Sequence, residues 1–257
     1  MRLARAFARA KAESRGALLT YVMGGDPTPN DSVESALACI RGGADIVELG
    51  FPFSDPIADG PTIQRAAERA LAAGVTLESV LRIASEVRSK AVETPLILMG
   101  YLNPVLAMGP ARFFSRAAEA GVDAVILPDL PPEEAAELRA EASRTGLSII
   151  SMLAPTSTPA RRAAVLSVAS GFIYFVSVTG VTGARVEHAD ISAPLAAIRA
   201  ASKVPVVVGF GIGTADQARA ACAHADGVVV GSAIVDRIAR REPLEPFVAS
   251  LRAALSP

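Results

Sequence analysis

Lysine, histidine, cysteine and tryptophan are nearly missing from this chain. Its 257 residues hold three lysines (Lys11, Lys90, Lys203), two histidines (His188, His224), two cysteines (Cys39, Cys222) and no tryptophan. Two cysteines 183 positions apart cannot build a disulfide framework or a zinc cluster, and they fit a reducing cytosol. No excess of either charge exists: 22 of the basic residues are arginine, yet the net charge is −1 and the isoelectric point about 6.2. Such a chain offers no basic field for nucleic acid or an anionic membrane. A hydrophobic content of 51%, 20% charged residues and a mean hydropathy of +0.39 exclude disorder.

Two stretches imitate targeting or membrane signals. The Arg-rich start, Met1 to Ala12, faintly resembles an organellar transit peptide. Leu3, Phe7 and several alanines share one helical face, however, and Glu13 leads straight into an apolar run, which leaves no room for a removable leader. The 22 residues from Ala163 to Ala184 carry no charge, as a membrane span would. Ser167, Ser170-Gly171, Thr179-Gly180 and Thr182-Gly183 interrupt them, so helix end, strand and polar loop is the better reading. A soluble, cytoplasmic protein is expected.

What the chain has in abundance is alternation. Short apolar runs at Ala17–Val22, Asp45–Leu49, Pro95–Met99, Asp123–Leu127, Leu147–Met152, Phe172–Ser177, Val204–Val208 and Gly227–Val230 have the continuous hydrophobicity of parallel strands covered on both faces. Between them lie Ala-rich helical segments, among them Asn30–Arg41, Thr62–Ala73, Ala111–Ala120, Glu133–Arg144, Pro159–Ala169, Ile191–Ala200 and Ala215–Ala223. Eight strands and eight crossovers predict one α/β domain spanning 1–257, a (β/α)₈ TIM barrel. Extra helices are expected at the N-terminus, after helix 2 (Thr76–Lys90) and at the C-terminus (Leu244–Leu255).

In this fold chemistry sits where strands end and βα loops begin. The three lysines and His224 all precede strands, on the opposite face, so neither a Schiff base nor a multi-histidine metal site is available. His188 is the one imidazole in a βα loop. The cysteines fall in helices and read as packing residues. Carboxylate, hydroxyl and backbone chemistry remain.

Glu48 ends the second strand among apolar neighbours, where burial raises a carboxyl's pKa toward a useful acid/base range; a salt bridge inside the barrel mouth is the alternative. Asp55 and Asp59 follow in the next loop, where an Asx turn and a helix cap would also explain them. Asp26 and Asp129 follow strands too, in proline-rich contexts that favour turn or cap roles. Three glycine-rich segments, Thr179–Ala184, Gly209–Gly213 and Gly231–Ile234, follow strands six, seven and eight. Loops after strands seven and eight, with a helix N-terminus, commonly bind phosphate through backbone N–H groups, and the Ser232 hydroxyl can assist. Tight-turn sterics explain any one of these glycines alone.

The segment Glu48-Leu-Gly-Phe-Pro-Phe-Ser-Asp-Pro-Ile-Ala-Asp-Gly-Pro-Thr-Ile-Gln64 closely resembles the signature of the tryptophan synthase alpha chain family. Met99-Gly-Tyr-Leu-Asn-Pro, Leu127-Pro-Asp-Leu-Pro, Ser177-Val-Thr-Gly-Val-Thr-Gly, Gly209-Phe-Gly-Ile and Gly231-Ser-Ala-Ile-Val extend the likeness along the chain. The resemblance implies a (β/α)₈ lyase that cleaves indole-3-glycerol phosphate to indole and D-glyceraldehyde 3-phosphate. It implies Glu48 as catalytic acid/base, Asp59 as partner of the indole N–H, Tyr174 beside Glu48, and Gly183, Gly211, Gly231 and Ser232 around the phosphate. Thr182 would help to position Asp59. Val178 stands where some relatives carry arginine, and no catalytic task is assigned to it.

The implied chemistry agrees with the elimination above: protonation at indole C3 makes the ring itself the electron sink, so no Schiff base or metal is needed. The resemblance further implies no cofactor in this chain and a partner beta chain carrying pyridoxal phosphate, joined in an α₂β₂ heterotetramer. The Pro52–Asp55 loop and the Asn103-Pro104 region would face that partner. A different phosphate-binding barrel enzyme, or a non-catalytic regulatory subunit, would share the glycine loops without requiring the Glu48/Asp59 pair.

Overall fold

The computed structural model describes residues 2–176, 192–209 and 211–256. The chain opens with α1 (Arg2–Ala12), β1 (Ala17–Met23), α2 (Pro29–Arg41), β2 (Ile46–Gly50), α3 (Pro61–Ala72), α4 (Leu77–Lys90) and β3 (Leu96–Met99). It continues with α5 (Leu102–Met108), α6 (Pro110–Glu119), β4 (Ala124–Ile126), α7 (Ala136–Arg144), β5 (Ser148–Leu153), α8 (Pro159–Val168) and β6 (Ile173–Val176). Last come α9 (Ser192–Ala201), β7 (Val206–Gly209), α10 (Ala215–Cys222), β8 (Gly227–Val230), α11 (Ser232–Ala239) and α12 (Glu245–Ala254). The eight strands are parallel and pair in chain order, and β1 closes on β8. The expected (β/α)₈ barrel is therefore the observed one.

The expected additions are also present as α1, α4 and α12. Helix α1 buries Leu3, Ala6, Phe7 and Ala10, an i, i+3, i+4, i+7 stripe, and the Phe7 ring lies 5.7 Å from that of Phe172. Its arginines face outward along a packed helix. Residues 163–176 divide into the end of α8, a short loop and β6; no described helix is long and apolar enough to cross a membrane. Two helical details differ from the expectation. Helix α5 is not among the expected helices; its Pro104 stands at the third helical position, where a proline displaces no intrahelical bond. Helix α7 starts at Ala136 rather than Glu133, since Pro131 and Pro132 accept i+3 turn bonds from Glu134 and Ala135 instead.

The N-terminal face of the barrel is fastened by a repeated device. Asp45, Asp123 and Asp226 each stand one residue before an even-numbered strand (β2, β4, β8). Each backbone N–H donates to a carbonyl of the preceding strand, and each carboxylate accepts the N–H of that same residue: Leu18 (2.9 Å), Leu96 (3.0 Å) and Val206 (2.8 Å). Arginines then cover the carboxylates. Arg15 meets Asp45 at 2.5 and 2.8 Å with Arg9 beside it, Arg88 meets Asp123 at 2.8 Å, and Arg199 meets Asp226 at 2.7 Å. Arginine suits this task because its rigid fork serves two acceptors at once.

The Arg15 and Asp45 side chains are both only 2% exposed. Burial works against the Asp45 carboxylate, yet the Arg15 guanidinium and the Leu18 N–H hold its pKa below the ordinary aspartate range. Asp45→Asn keeps an acceptor for Leu18 but strands the buried guanidinium, and it should cost about 3 kcal/mol in urea unfolding at pH 7. Because the folded-state pKa is depressed, that difference should be full above about pH 4 and shrink as the pH falls further. A variant with wild-type stability would remove the clamp from the account of the fold.

Candidate active site

The opposite face gathers the polar groups that have no structural explanation. Glu48 lies on β2 between buried Val47 and Leu49, in register with Tyr21 of β1 and Ile97 of β3. It is 0% exposed, and neither carboxyl oxygen has a hydrogen-bond partner. Among the described residues no cation answers it, so the alternative of a salt bridge in the barrel mouth finds no partner there. Burial pushes its pKa up to about 8, which leaves the carboxyl protonated at neutral pH.

Asp59 lies on the loop between β2 and α3. It does not cap that helix: Gly60 holds the cap position, no side chain caps the helix, and Pro61 needs no donor partner. The Asp59 N–H donates to the Pro56 carbonyl (3.1 Å), and its own carbonyl accepts from the Gln64 amide (2.9 Å), so backbone bonds brace the loop without using the carboxylate. Burial pushes the Asp59 pKa up to about 6, and a hydrogen bond from the Tyr101 hydroxyl opposes the rise.

Tyr101, whose role no local sequence pattern marks, organises this loop. It leads into α5, its hydroxyl oxygen accepts the Ala58 N–H (2.9 Å), and its ring lies 5.4 Å from that of Phe53. The next residue, Leu102, donates its N–H to both carboxylate oxygens of Asp129 (3.0 Å each), so Asp129 caps α5, a helix other than the one that follows it. Asp26 likewise has a structural task, a bidentate bond with Arg69 (2.7 and 2.8 Å). Asp55 is exposed and receives the Ser54 hydroxyl (2.5 Å).

Asp59 faces a cleft walled by Tyr21, Phe51, Phe53, Met99 and Tyr101. Two aromatic rings reach inward because glycine ends a neighbouring strand: a Cβ on Gly50 would fall 2.0 Å from the Tyr21 hydroxyl, and one on Gly209 2.1 Å from the Tyr174 hydroxyl. Burial, followed by the charges of Asp59 and Glu48, raises the pKa of Tyr21; the same causes, with Glu48 ahead of Asp59, raise that of Tyr174. Both phenols are therefore neutral and sit in the field of both carboxyls. The structure thus brings Glu48, Asp59 and Tyr174 together.

Gly211, at φ +76°, follows β7, and Gly231 precedes Ser232, the first residue of α11, whose N-terminus no side chain caps. A Cβ on Gly231 would stand 3.5 Å from Tyr21 Cβ, so this glycine loop adjoins the same mouth. Thr182 and Gly183 lie outside the described residues, as do Val178 and His188.

A closed barrel with an unpaired buried carboxyl, a second carboxylate on an aromatic cleft and glycine loops after β7 and β8 defines a (β/α)₈-barrel enzyme of acid/base type. The profile of the tryptophan synthase alpha chain family matches residues 7–254. The tryptophan synthase alpha chain of Geobacter sulfurreducens is 53% identical over 99% of this chain and 98% of its own, and that of Rhizorhabdus wittichii is 50% identical over 99% and 96%. Among solved structures, the tryptophan synthase alpha chain of Legionella pneumophila (36% identity, TM-score 0.90) covers 99% of this chain and 97% of its own. A Mycobacterium tuberculosis tryptophan synthase structure (38% identity, TM-score 0.93) covers 100% and 98%. The chain belongs to the tryptophan synthase alpha chain family. It is a lyase of tryptophan biosynthesis, the alpha subunit that splits indole-3-glycerol phosphate into indole and D-glyceraldehyde 3-phosphate, and a beta chain is the partner that membership implies.

Glu48 binds its proton more tightly folded than unfolded, so its contribution to stability is full below about pH 4.5 and is lost as the pH rises toward 8. Glu48→Gln removes that loss. In urea unfolding the variant should gain on the wild type by about 1.4 kcal/mol per pH unit between pH 5 and 8. A pH-independent difference would mean that Glu48 ionises freely.

Proposed function

We propose that Glu48 is the proton carrier of the cleavage and Asp59 the fixed anion that holds the indole N–H. The observation that carries this reading is the pairing of an unpartnered buried Glu48 with an Asp59 carboxylate at the edge of an aromatic-walled cleft. A flat ring with one N–H donor suits a wall of aromatic and apolar side chains that presents one carboxylate.

At neutral pH Glu48 holds a proton and delivers it to indole C3, which leaves the ring a cation with its charge shared to the nitrogen. Asp59, largely ionised under the influence of the Tyr101 hydroxyl, accepts the N–H and stabilises that charge. The Glu48 carboxylate then takes the proton of the hydroxyl on the glycerol carbon attached to the ring. As the aldehyde C=O forms, the carbon–carbon bond breaks and its electron pair restores the aromatic indole. One proton enters at carbon and one leaves from oxygen, so Glu48 ends as it began. Tyr174, neutral and buried, shapes the site beside Glu48. Backbone groups at Gly211, Gly231 and Ser232, with Gly183, hold the phosphate; the uncapped start of α11 favours an anion there. Thr182 assists Asp59.

We further assign the protein to the cytoplasm and to an α₂β₂ assembly whose beta chain carries pyridoxal phosphate. Two exposed apolar side chains support a docking face at this end. Ile57 is 79% exposed on the Asp59 loop, and Leu106 is 51% exposed on α5, the helix that Tyr101 ties to that loop. A partner covering them bears on the segment that positions Asp59.

Incubation of the purified chain with indole-3-glycerol phosphate, following indole release, tests the assignment. Glu48→Gln and Asp59→Asn should fold and lose on the order of 10²-fold or more in kcat, and near-normal turnover in either would reject it. Activity requires ionised Asp59 and protonated Glu48, so kcat should be bell-shaped with limbs near pH 6 and pH 8. Tyr101→Phe should move the acid limb upward and leave the alkaline limb in place. Added beta chain should raise the rate sharply; a rate indifferent to it would mark a stand-alone lyase.

A further inference from the structure

Tyr21 of β1 is a polar side chain at the mouth that the cleavage leaves without a task. It is buried, and it lies on the wall of the Asp59 cleft. Among the described residues its hydroxyl has one partner, the Met23 sulfur at 3.9 Å. A thioether is a weak acceptor, and a buried phenol ordinarily finds a better one. The Tyr101 hydroxyl, on the same wall, is by contrast engaged with the Asp59 loop through the Ala58 N–H.

The place of Tyr21 in the barrel points to what the better partner is. On one side β1 pairs with β8, with Thr20 opposite Val230, so Tyr21 stands level with Gly231. A Cβ on Gly231 would lie 3.5 Å from the Tyr21 Cβ. On the other side Tyr21 is in register with Glu48 of β2. Its ring leans across that strand toward the mouth, since a Cβ on Gly50 would fall 2.0 Å from the hydroxyl. Glu48 and Gly50 are two residues apart and so face the same side of β2. The phenol head therefore sits one step nearer the mouth than the Glu48 side chain, in room left because position 50 has no side chain.

With phosphate at Gly231 and the reacting ring carbon at Glu48, as proposed above, the glycerol chain of the substrate crosses β1. Two strand spacings, about 10 Å, separate those ends, a span that a phosphorylated three-carbon chain and its hydrogen bonds fill. That chain carries two hydroxyls. The one next to the ring gives its proton to Glu48. The central one has no partner in the reaction, and it passes over the Tyr21 hydroxyl.

We propose that Tyr21 is a specificity residue of the cleavage, its hydroxyl hydrogen-bonding the central hydroxyl of the glycerol chain. That contact presupposes the places given above to phosphate and ring. A site built to bond a substrate hydroxyl discriminates against the analogue that lacks it, because the site's own polar group is then left unpaired.

Steady-state kinetics of wild type and Tyr21→Phe test the contact, with indole-3-glycerol phosphate and with its analogue lacking only the central hydroxyl. Tyr21→Phe keeps the ring and its packing. It should lower kcat/KM for indole-3-glycerol phosphate by about 10-fold, leave that for the analogue within about twofold, and keep both pH limbs in place. Equal losses with both substrates, or no loss with either, would overturn the proposal. So would a displaced pH limb, which would put the phenol on Glu48 or Asp59 instead. Ser232→Ala should weaken both substrates alike, because both carry the phosphate. Failure of the underlying reading shows elsewhere, as turnover retained by Glu48→Gln or a KM untouched by Ser232→Ala.

Discussion

The burial of Glu48 without a partner is the constraint around which this molecule is arranged. A carboxyl enclosed by a parallel barrel, with both oxygens unbonded, destabilises the fold by an amount of the same order as a good fraction of a domain's net stability. It persists because the surrounding strands over-determine its position. Val47 and Leu49 are fully buried beside it, Tyr21 and Ile97 flank it in register, and the barrel closes completely. Neutrality follows from the same burial, and a neutral carboxyl is the species that can give a proton to carbon.

Stability and chemistry occupy opposite ends of the strands. At the N-terminal face Asp45, Asp123 and Asp226 have every advantage that Glu48 lacks: a strand N–H to accept and arginines to answer the charge. The β5–β6 pair carries no such aspartate at its start. That pair is also where Arg139 of α7 bonds the Ile149 and Val168 carbonyls and the Ser151 hydroxyl, with no carboxylate in ion-pair reach among the described residues. The excess of arginine over lysine thus has a structural use, since a rigid fork can bind a carboxylate and nearby carbonyls together.

Much of this was legible in the residues. Continuous apolar runs alternating with Ala-rich helical segments carried the strand count, and with it the closure; the placement of every lysine before a strand carried the exclusion of Schiff-base chemistry. Glu48 was readable because a carboxylate in an apolar strand needs a reason. Asp59 was ambiguous, since an aspartate before Pro61 has the pattern of a helix cap, and only the position of Gly60 as cap separates the two. Tyr101, Tyr21 and the Asp–arginine clamps were not legible. Their roles come from contacts between residues 20 or more positions apart, which no local pattern encodes.

The two carboxyls also show why so small a set of groups suffices. Both are raised by burial, but Glu48 meets no donor, while Asp59 meets the Tyr101 hydroxyl on a loop nearer to solvent. Their pKa values separate to about 8 and about 6, and neutral pH falls between them. One acid and one anion then coexist in a single mouth. An arginine near Glu48 would stabilise the fold and abolish this separation, because it would hold both groups ionised. Among the described residues no counter-charge stands at Glu48; that is what keeps the two proposed roles apart, and the clamps at the far end of the barrel make the unpaired carboxyl tolerable.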